Sequence, residues 1–253
     1  MIVLKGVSKD YGEGNVIDNV SFTIDPGEFV CITGPSGAGK TTLLSLLVGA
    51  ENASTGVITV DGVDLRTVPA GGLQIFRRRV GIVFQDYKLL SNRTVAENVA
   101  FPLEVCGASD ETIQRRVPDL LRKLDLTARA KALPRELSGG QKARTAIARA
   151  IAHKPLVLLA DEPTQNLDPD QMKEVLQTFR DINAGGTTVI IATHDDTLVD
   201  LLHTRVIHLE KGRVTRDSVG GYKKAPAAAA DDPEREEDEK RRKVKITAIH
   251  SEG

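Results

Sequence analysis

Gly34-Pro-Ser-Gly-Ala-Gly-Lys-Thr41 follows the apolar run Phe29-Val-Cys-Ile-Thr33 and leads into Thr42-Leu-Leu-Ser-Leu-Leu47. The first run reads as a buried strand and the second as a helix, so the segment between them is a glycine-rich turn from strand to helix. That order is the context in which G-x-x-x-x-G-K-[ST] cradles phosphate. Its glycines let successive backbone N–H groups converge on phosphate oxygens. The helix N-terminus adds a favourable dipole. Lys40 is expected to reach the β- and γ-phosphates of a nucleoside triphosphate and Thr41 to ligate Mg²⁺. The expected nucleotide contacts are Gly34, Pro35, Ser36, Gly37, Ala38, Gly39, Lys40, Thr41 and Thr42. The bland alternative, a glycine-rich turn with an incidental lysine, does not account for the strand and helix on either side.

Outward from this turn, strand-like runs alternate with helical patterns over residues 1 to about 220, the signature of an α/β fold. Strands are predicted at 2–7, 16–24, 29–33, 57–60, 80–84, 156–160, 188–192 and 205–209. Helices are predicted after Gly39, Thr94, Ser109, Ser138, Asp170 and Asp195, with Thr94 and Glu97 spaced as a capping box. The early strands are expected to be antiparallel and those from Phe29 onward, separated by helices, parallel. A mostly helical insert over about 86–155 interrupts the parallel series. The reading is a P-loop fold with a mostly parallel core sheet, an antiparallel β subdomain and a helical insert.

Leu156-Val-Leu-Leu-Ala-Asp-Glu162 is an apolar strand ending in two acids. Such acids lie at the edge where α/β sheets bind ligands. Asp161 is expected to hold Mg²⁺, with Glu162 as the general base that polarises the attacking water. An acidic turn stopped by Pro163 is the alternative for this run taken alone. Leu137-Ser-Gly-Gly-Gln141 opens another helix, with Ser138 as N-cap and Gly139 and Gly140 leaving the amides bare, a second anion site. One nucleotide needs one phosphate cradle. A second γ-phosphate site makes sense if it serves a nucleotide held by another copy, in a two-fold pair that closes two sites by symmetry. An ordinary serine-capped helix is the competing reading of those five residues.

Composition excludes several classes. The net charge is −1, so no global basic field draws the chain to nucleic acid. Two cysteines, Cys31 and Cys106, make neither a disulfide framework nor a metal set and suit a reducing cytosol. No signal peptide is evident, and no apolar run approaches the roughly 20 residues that span a bilayer. Any membrane role is therefore expected to come through a partner or a surface contact. From Tyr222 the composition turns to alanine, then to a charged block over 231–243. Residues 222–253 read as a charged, disordered tail, whose basic Lys240-Arg-Arg-Lys243 could meet anionic lipid or serve only solubility.

The order of the phosphate turn, Gln85 in Val83-Phe-Gln85, Leu137-Ser-Gly-Gly-Gln141, Asp161-Glu162, Asn166-Leu-Asp168 and His194 resembles the ABC ATPase family over residues 1 to about 220. The resemblance implies ATP as substrate, Mg²⁺ as cofactor and a homodimer of ATPase subunits that closes on ATP. It also implies an integral membrane partner and a cytoplasmic position, peripheral on the inner face of the membrane. It assigns Tyr11 to stacking on adenine, with a plain surface tyrosine as the alternative. Gln85 would contact Mg²⁺ and the reacting water, and His194 the γ-phosphate. Asp168 would cross the dimer interface, and it also fits an N-cap. Ser138, Gly139, Gly140 and Asp168 would then act in trans. Tyr87, Leu89, Leu90 and Phe101 are candidates for docking the partner's cytoplasmic helix, or for the insert's own core.

Gly81-Ile-Val-Phe-Gln-Asp-Tyr-Lys-Leu-Leu90, Arg93-Thr-Val-Ala-Glu-Asn-Val99 and Pro102-Leu-Glu-Val105 resemble the FtsE group of bacterial cell-division ATPases. That resemblance implies FtsX as the membrane partner and an output to cell-wall hydrolases. The lipoprotein-release and macrolide-export ATPases share most of these residues. A dimerisation switch with incidental turnover is a further reading, against which Glu162 speaks. Repair or translation ATPases of this fold usually carry long insertions or a second cassette, and neither is present. Gln165 departs from the group, which usually has Gly there, and so does Lys142-Ala143, where Gln is commoner.

Overall fold

The computed structural model describes residues 1–221. The expected disordered tail, with its basic run, lies outside the described residues. The described strands are β1 (Ile2–Asp10), β2 (Asn15–Ile24), β3 (Phe29–Thr33), β4 (Thr55–Val60), β5 (Val63–Asp64), β6 (Val80–Val83), β7 (Val157–Asp161), β8 (Thr188–Thr193), β9 (Arg205–Glu210) and β10 (Arg213–Val219). The α-helices are α1 (Lys40–Leu47), α2 (Ala70–Arg77), α3 (Val95–Val105), α4 (Asp110–Lys123), α5 (Gly139–Ile151), α6 (Pro169–Ala184) and α7 (Asp196–Leu202).

Helix starts follow their caps. Thr94 Oγ1 accepts from Glu97 N, and Thr94 N donates back to Glu97 Oε2 at 2.7 Å, a closed capping box. Ser109 caps α4, and Asp168 caps α6 by accepting from Asp170 N and Gln171 N, with Pro169 in the first turn. The helix expected after Asp170 begins earlier, at Pro169, with Asp170 inside its first turn.

Two sheets form. One has the order β2-β1-β4-β5 and is antiparallel, and the other has the order β10-β9-β3-β8-β7-β6. In the second, β6, β7, β8, β3 and β9 run parallel, and β10 returns antiparallel along β9. The expectation that every strand from Phe29 onward is parallel fails for β4. After α1 the chain goes back to β1 rather than to the core sheet, pairing Ile2 with Val60 in antiparallel register. Among the described strands and α-helices, α2, β5 and β10 escaped the sequence reading. Two glycines early in α2 lower its helix propensity, β5 is only two residues long, and β10 is largely polar and pairs with β9.

All five residues of β3 are buried, as a central parallel strand requires. Alternate residues enter different cores. Val30 and Ile32 pack with α1 and the antiparallel sheet, where Leu43, Leu47, Ile17 and Ile58 meet them. Phe29 and Cys31 pack on the opposite face with residues of α5, α6 and α7. Each buried Val or Ile contributes about 1.5–3 kcal/mol relative to exposure, so a one-residue slip of β3 would exchange both faces at once. Burial pushes the Cys31 thiol pKa up to about 11, consistent with a small core residue. A third core joins α3, α4 and α5 through Val99, Leu121 and Ala148.

Candidate active site

Parallel pairing puts the C-terminal ends of β3, β6, β7 and β8 along one sheet edge. The phosphate turn follows β3, Gln85 follows β6, Asp161 ends β7 with Glu162 next, and His194 follows β8. Ser36, Gly37, Gly39, Lys40, Thr41 and Thr42 of the turn line one cleft of about 400 Å³ with Gln85, Asp161, Glu162, His194, Val16 and Gln165, whereas Gly34, Pro35 and Ala38 lie outside its lining. The sheet topology thus gathers four segments that are far apart in sequence, at the edge where such sheets take ligands.

Two glycines of the turn cannot be replaced. Gly34 has φ 144° and a Cβ there would lie 2.2 Å from Leu209 O. Gly39, the N-cap of α1, has φ 99° and its Cβ would meet Ile17 and Val16 at 2.7 Å. Lys40 is only 7 % exposed, and its ammonium donates to Gly34 O at 2.7 Å and Pro35 O at 3.0 Å. An ammonium has three protons. Two hold the turn, and the third remains for an anion in the cleft.

Thr41 Oγ1 donates to Asp161 Oδ2 at 2.7 Å. Burial pushes the Asp161 pKa up, the Thr41 hydrogen bond opposes that, and the Glu162 charge adds to it. A buried carboxylate disfavoured in its charged form is well suited to a bound cation. The available donors are a hydroxyl, a carboxylate and an amide oxygen of Gln85, all hard oxygens of the kind Mg²⁺ takes. Mg²⁺ keeps water and phosphate as its other ligands, so this short set of oxygen donors fits it.

Glu162 is 8 % exposed and sits at φ 46°, a left-handed conformation uncommon for a non-glycine residue. Oε1 accepts from His194 N at 3.0 Å and lies 2.6 Å from His194 Nδ1, and Oε2 accepts from Thr193 Oγ1 at 3.1 Å. The carboxylate is thereby held at the cleft by the end of β8. Thr193 was not singled out in the sequence, because a threonine ending a strand carries no signal of its own.

Other sequence candidates lie elsewhere. Ser138, Gly139, Gly140 and Asp168 do not line the cleft of their own chain. Ser138 closes a capping box with Gln141, and Gly140 N donates to Gln171 Oε1 at 3.0 Å. Gln171 thus occupies an amide that was read as bare, a contact set by the approach of α6 to α5. Tyr11 is 53 % exposed on the β1–β2 connection, with the Lys9 ammonium 4.6 Å from its ring centroid, and is outside the cleft lining. Gln85 is exposed and donates through Nε2 to Gln165 Oε1 at 2.7 Å.

The docking candidates divide. Tyr87 and Leu89 are partly buried against the cores of the insert and the sheet. Leu90 and Phe101 instead line a groove of about 500 Å³ with Phe84, Pro102 and Val105, and the cations Arg77, Arg78 and Lys88 lie around it. Phe84 is 40 % and Val105 60 % exposed. Tyr87 (φ 59°) and Lys88 (φ 45°) form a left-handed turn whose carbonyls both accept from Arg149 at 2.7 Å.

A family model described as ABC transporter matches residues 17–165. The cell division ATP-binding protein FtsE of Bacillus subtilis is 45 % identical over 222 residues, covering 87 % of this chain and 97 % of that protein. FtsE of Escherichia coli is 44 % identical over 215 residues, covering 85 % and 97 %. Among solved structures, a dimeric ATP-binding cassette, MJ0796, in a post-hydrolysis state with ADP and Pi superposes with TM-score 0.79 at 35 % identity, covering 87 % of this chain and 98 % of that one. The cassette cbiO1 from Clostridium perfringens, part of the transporter complex cbiONQ, gives TM-score 0.80 at 31 % identity, covering 86 % and 88 %.

Proposed function

Because the chain belongs to the ABC transporter family, as an ATPase subunit similar to the FtsE cell-division proteins, we propose that residues 1–221 form a cassette that pairs with a second copy on ATP and drives an integral membrane partner of the FtsX kind in cell division. Lys40 and the turn amides hold the β- and γ-phosphates. Thr41, Asp161 and the Gln85 amide oxygen hold Mg²⁺, which when bound neutralises phosphate charge. Glu162 orients the attacking water and accepts its proton, and His194 stands beside it toward the γ-phosphate. Tyr11 stacks on adenine with the ring face left open by Lys9.

The dimer is supported by the position of Ser138, Gly140 and Asp168 outside their own chain's cleft. A cleft closed only by another copy's helix N-terminus couples ATP to association. Gly140 N must then exchange Gln171 for phosphate. In this reading Asp168 caps α6 and also reaches the interface.

One observation carries the link to a membrane partner. Phe84 and Gln85 are consecutive, yet Phe84 lines the apolar groove and Gln85 the nucleotide cleft. A change at the cleft therefore reaches the groove through a single peptide unit, at the end of buried β6. The groove's apolar floor and cationic surroundings suit a short amphipathic helix with acidic flanks. Among the described residues no helix is long and apolar enough to cross a membrane; in this reading the groove is where the integral membrane partner docks. The test is co-purification from detergent-solubilised membranes. The wild-type chain should bring down one FtsX-like integral protein, and Val105→Asp with Phe101→Asp should lose it while still binding ATP. Retention of the partner by the double variant would refute docking at the groove.

A further inference from the structure

The amide of Gln85 has two chemically different ends, and only the oxygen can ligate a metal ion. In the structure the nitrogen is committed elsewhere: Nε2 donates to Gln165 Oε1 at 2.7 Å. The oxygen is left as the remaining polar atom of that amide, in a cleft that also holds Thr41 and Asp161. Without an acceptor opposite it, an exposed glutamine amide turns freely and offers nitrogen as readily as oxygen.

Gln165 is well placed to set that orientation. Its own N donates to Glu162 O at 3.1 Å, closing a tight turn directly after the catalytic carboxylate. Left-handed backbone at Glu162 (φ 46°) and Asn166 (φ 63°) brackets the turn, and the Gln165 side chain lines the cleft opposite Gln85. Gln165 itself is not among the positive-φ residues, so a side chain is accommodated there without backbone strain. A glycine at this position would offer no acceptor.

We infer that Gln165 is a positioning residue that holds the Gln85 amide with Oε1 presented to the metal of the ATP complex. The inference rests on the proposed reading of the cleft as an ATP and Mg²⁺ site. Gln165 touches neither nucleotide nor metal in this account and acts only through Gln85. Its effect therefore belongs to the metal-dependent part of nucleotide binding and vanishes when Gln85 is absent.

Calorimetry of ATP binding in excess Mg²⁺ and in chelator gives, for each variant, the factor by which the metal tightens ATP. Gln165→Leu and Gln165→Gly should leave affinity in chelator unchanged and lower the Mg²⁺ factor about three- to tenfold, the range an ordinary net hydrogen bond supplies. In a Gln85→Ala background, Gln165→Leu should change the factor no further, the non-additivity expected of residues acting in series. An unchanged Mg²⁺ factor in both single variants would overturn the inference. So would an equal further drop in the Gln85→Ala background. Failure of the wild-type chain to bind ATP, with or without Mg²⁺, would instead remove the reading of the cleft on which the inference rests.

Discussion

Glu162→Gln removes one negative charge and the capacity to take a proton, while keeping the shape of the side chain. The structure indicates that the geometry survives. Glu162 Oε1 meets His194 N and Nδ1, and Oε2 accepts from Thr193 Oγ1. In the glutamine form the amide oxygen can keep the His194 N–H. The amide NH₂ can face Thr193, whose hydroxyl can turn to accept it. Contacts at both ends are therefore retained, and the loss is confined to proton transfer and charge. General-base groups contribute about 10²–10⁴-fold. With positioning preserved, the expected fall in turnover is about 10²–10³-fold, or about 3–4 kcal/mol at 1.36 kcal/mol per decade. The assay is phosphate release at saturating ATP and Mg²⁺, with ATP affinity measured separately by calorimetry and expected to stay within about twofold. Hydrolysis at the wild-type rate would refute Glu162 as the base. Loss of ATP affinity would show that it binds nucleotide rather than orienting water.

Lys40→Ala removes the buried ammonium that ties the turn and meets phosphate, so ATP binding should be lost, and equal calorimetric affinity would sink that assignment. Glu162→Gln with ATP should sediment and scatter light as a dimer, whereas Glu162→Gln with Ser138→Arg should bind ATP and stay monomeric; a stable ATP-bound dimer of the double variant would show that Ser138 does not complete the neighbour's site. Asp161→Asn should stabilise the metal-free chain at neutral pH by about 1 kcal/mol, the scale of functional-site relief, read as a higher Tm in chelator. The sign follows from the raised Asp161 pKa, whose first cause is burial: stability is greatest below the ordinary carboxylate pKa and falls as pH rises through the elevated folded value. The difference between wild type and Asp161→Asn should therefore shrink toward acid, and a pH-independent difference would refute it.

The phosphate turn, the acids at the end of β7 and the caps at Thr94, Ser109 and Ser138 were legible in the sequence. Each depends on neighbours within a few residues: a period of burial, a glycine that must take positive φ, a side chain that reaches its own helix amides. Continuous apolar runs also marked β3 and β7 as buried strands. They could not say which core each side chain enters, nor that β4 returns to β1 instead of joining the parallel sheet, because strand order is decided by long-range pairing. The same limit applies at the site. Tyr87 and Leu89 read like Leu90 and Phe101, and only the packing of α3 and α5 against the sheet separates core from groove. Thr193 on Glu162, Gln171 on Gly140 and Gln165 on Gln85 join residues that no local pattern connects. The chemistry was written in short stretches of sequence; the partners that orient that chemistry come from elements far apart in the chain, and only the folded sheet brings them within hydrogen-bond reach.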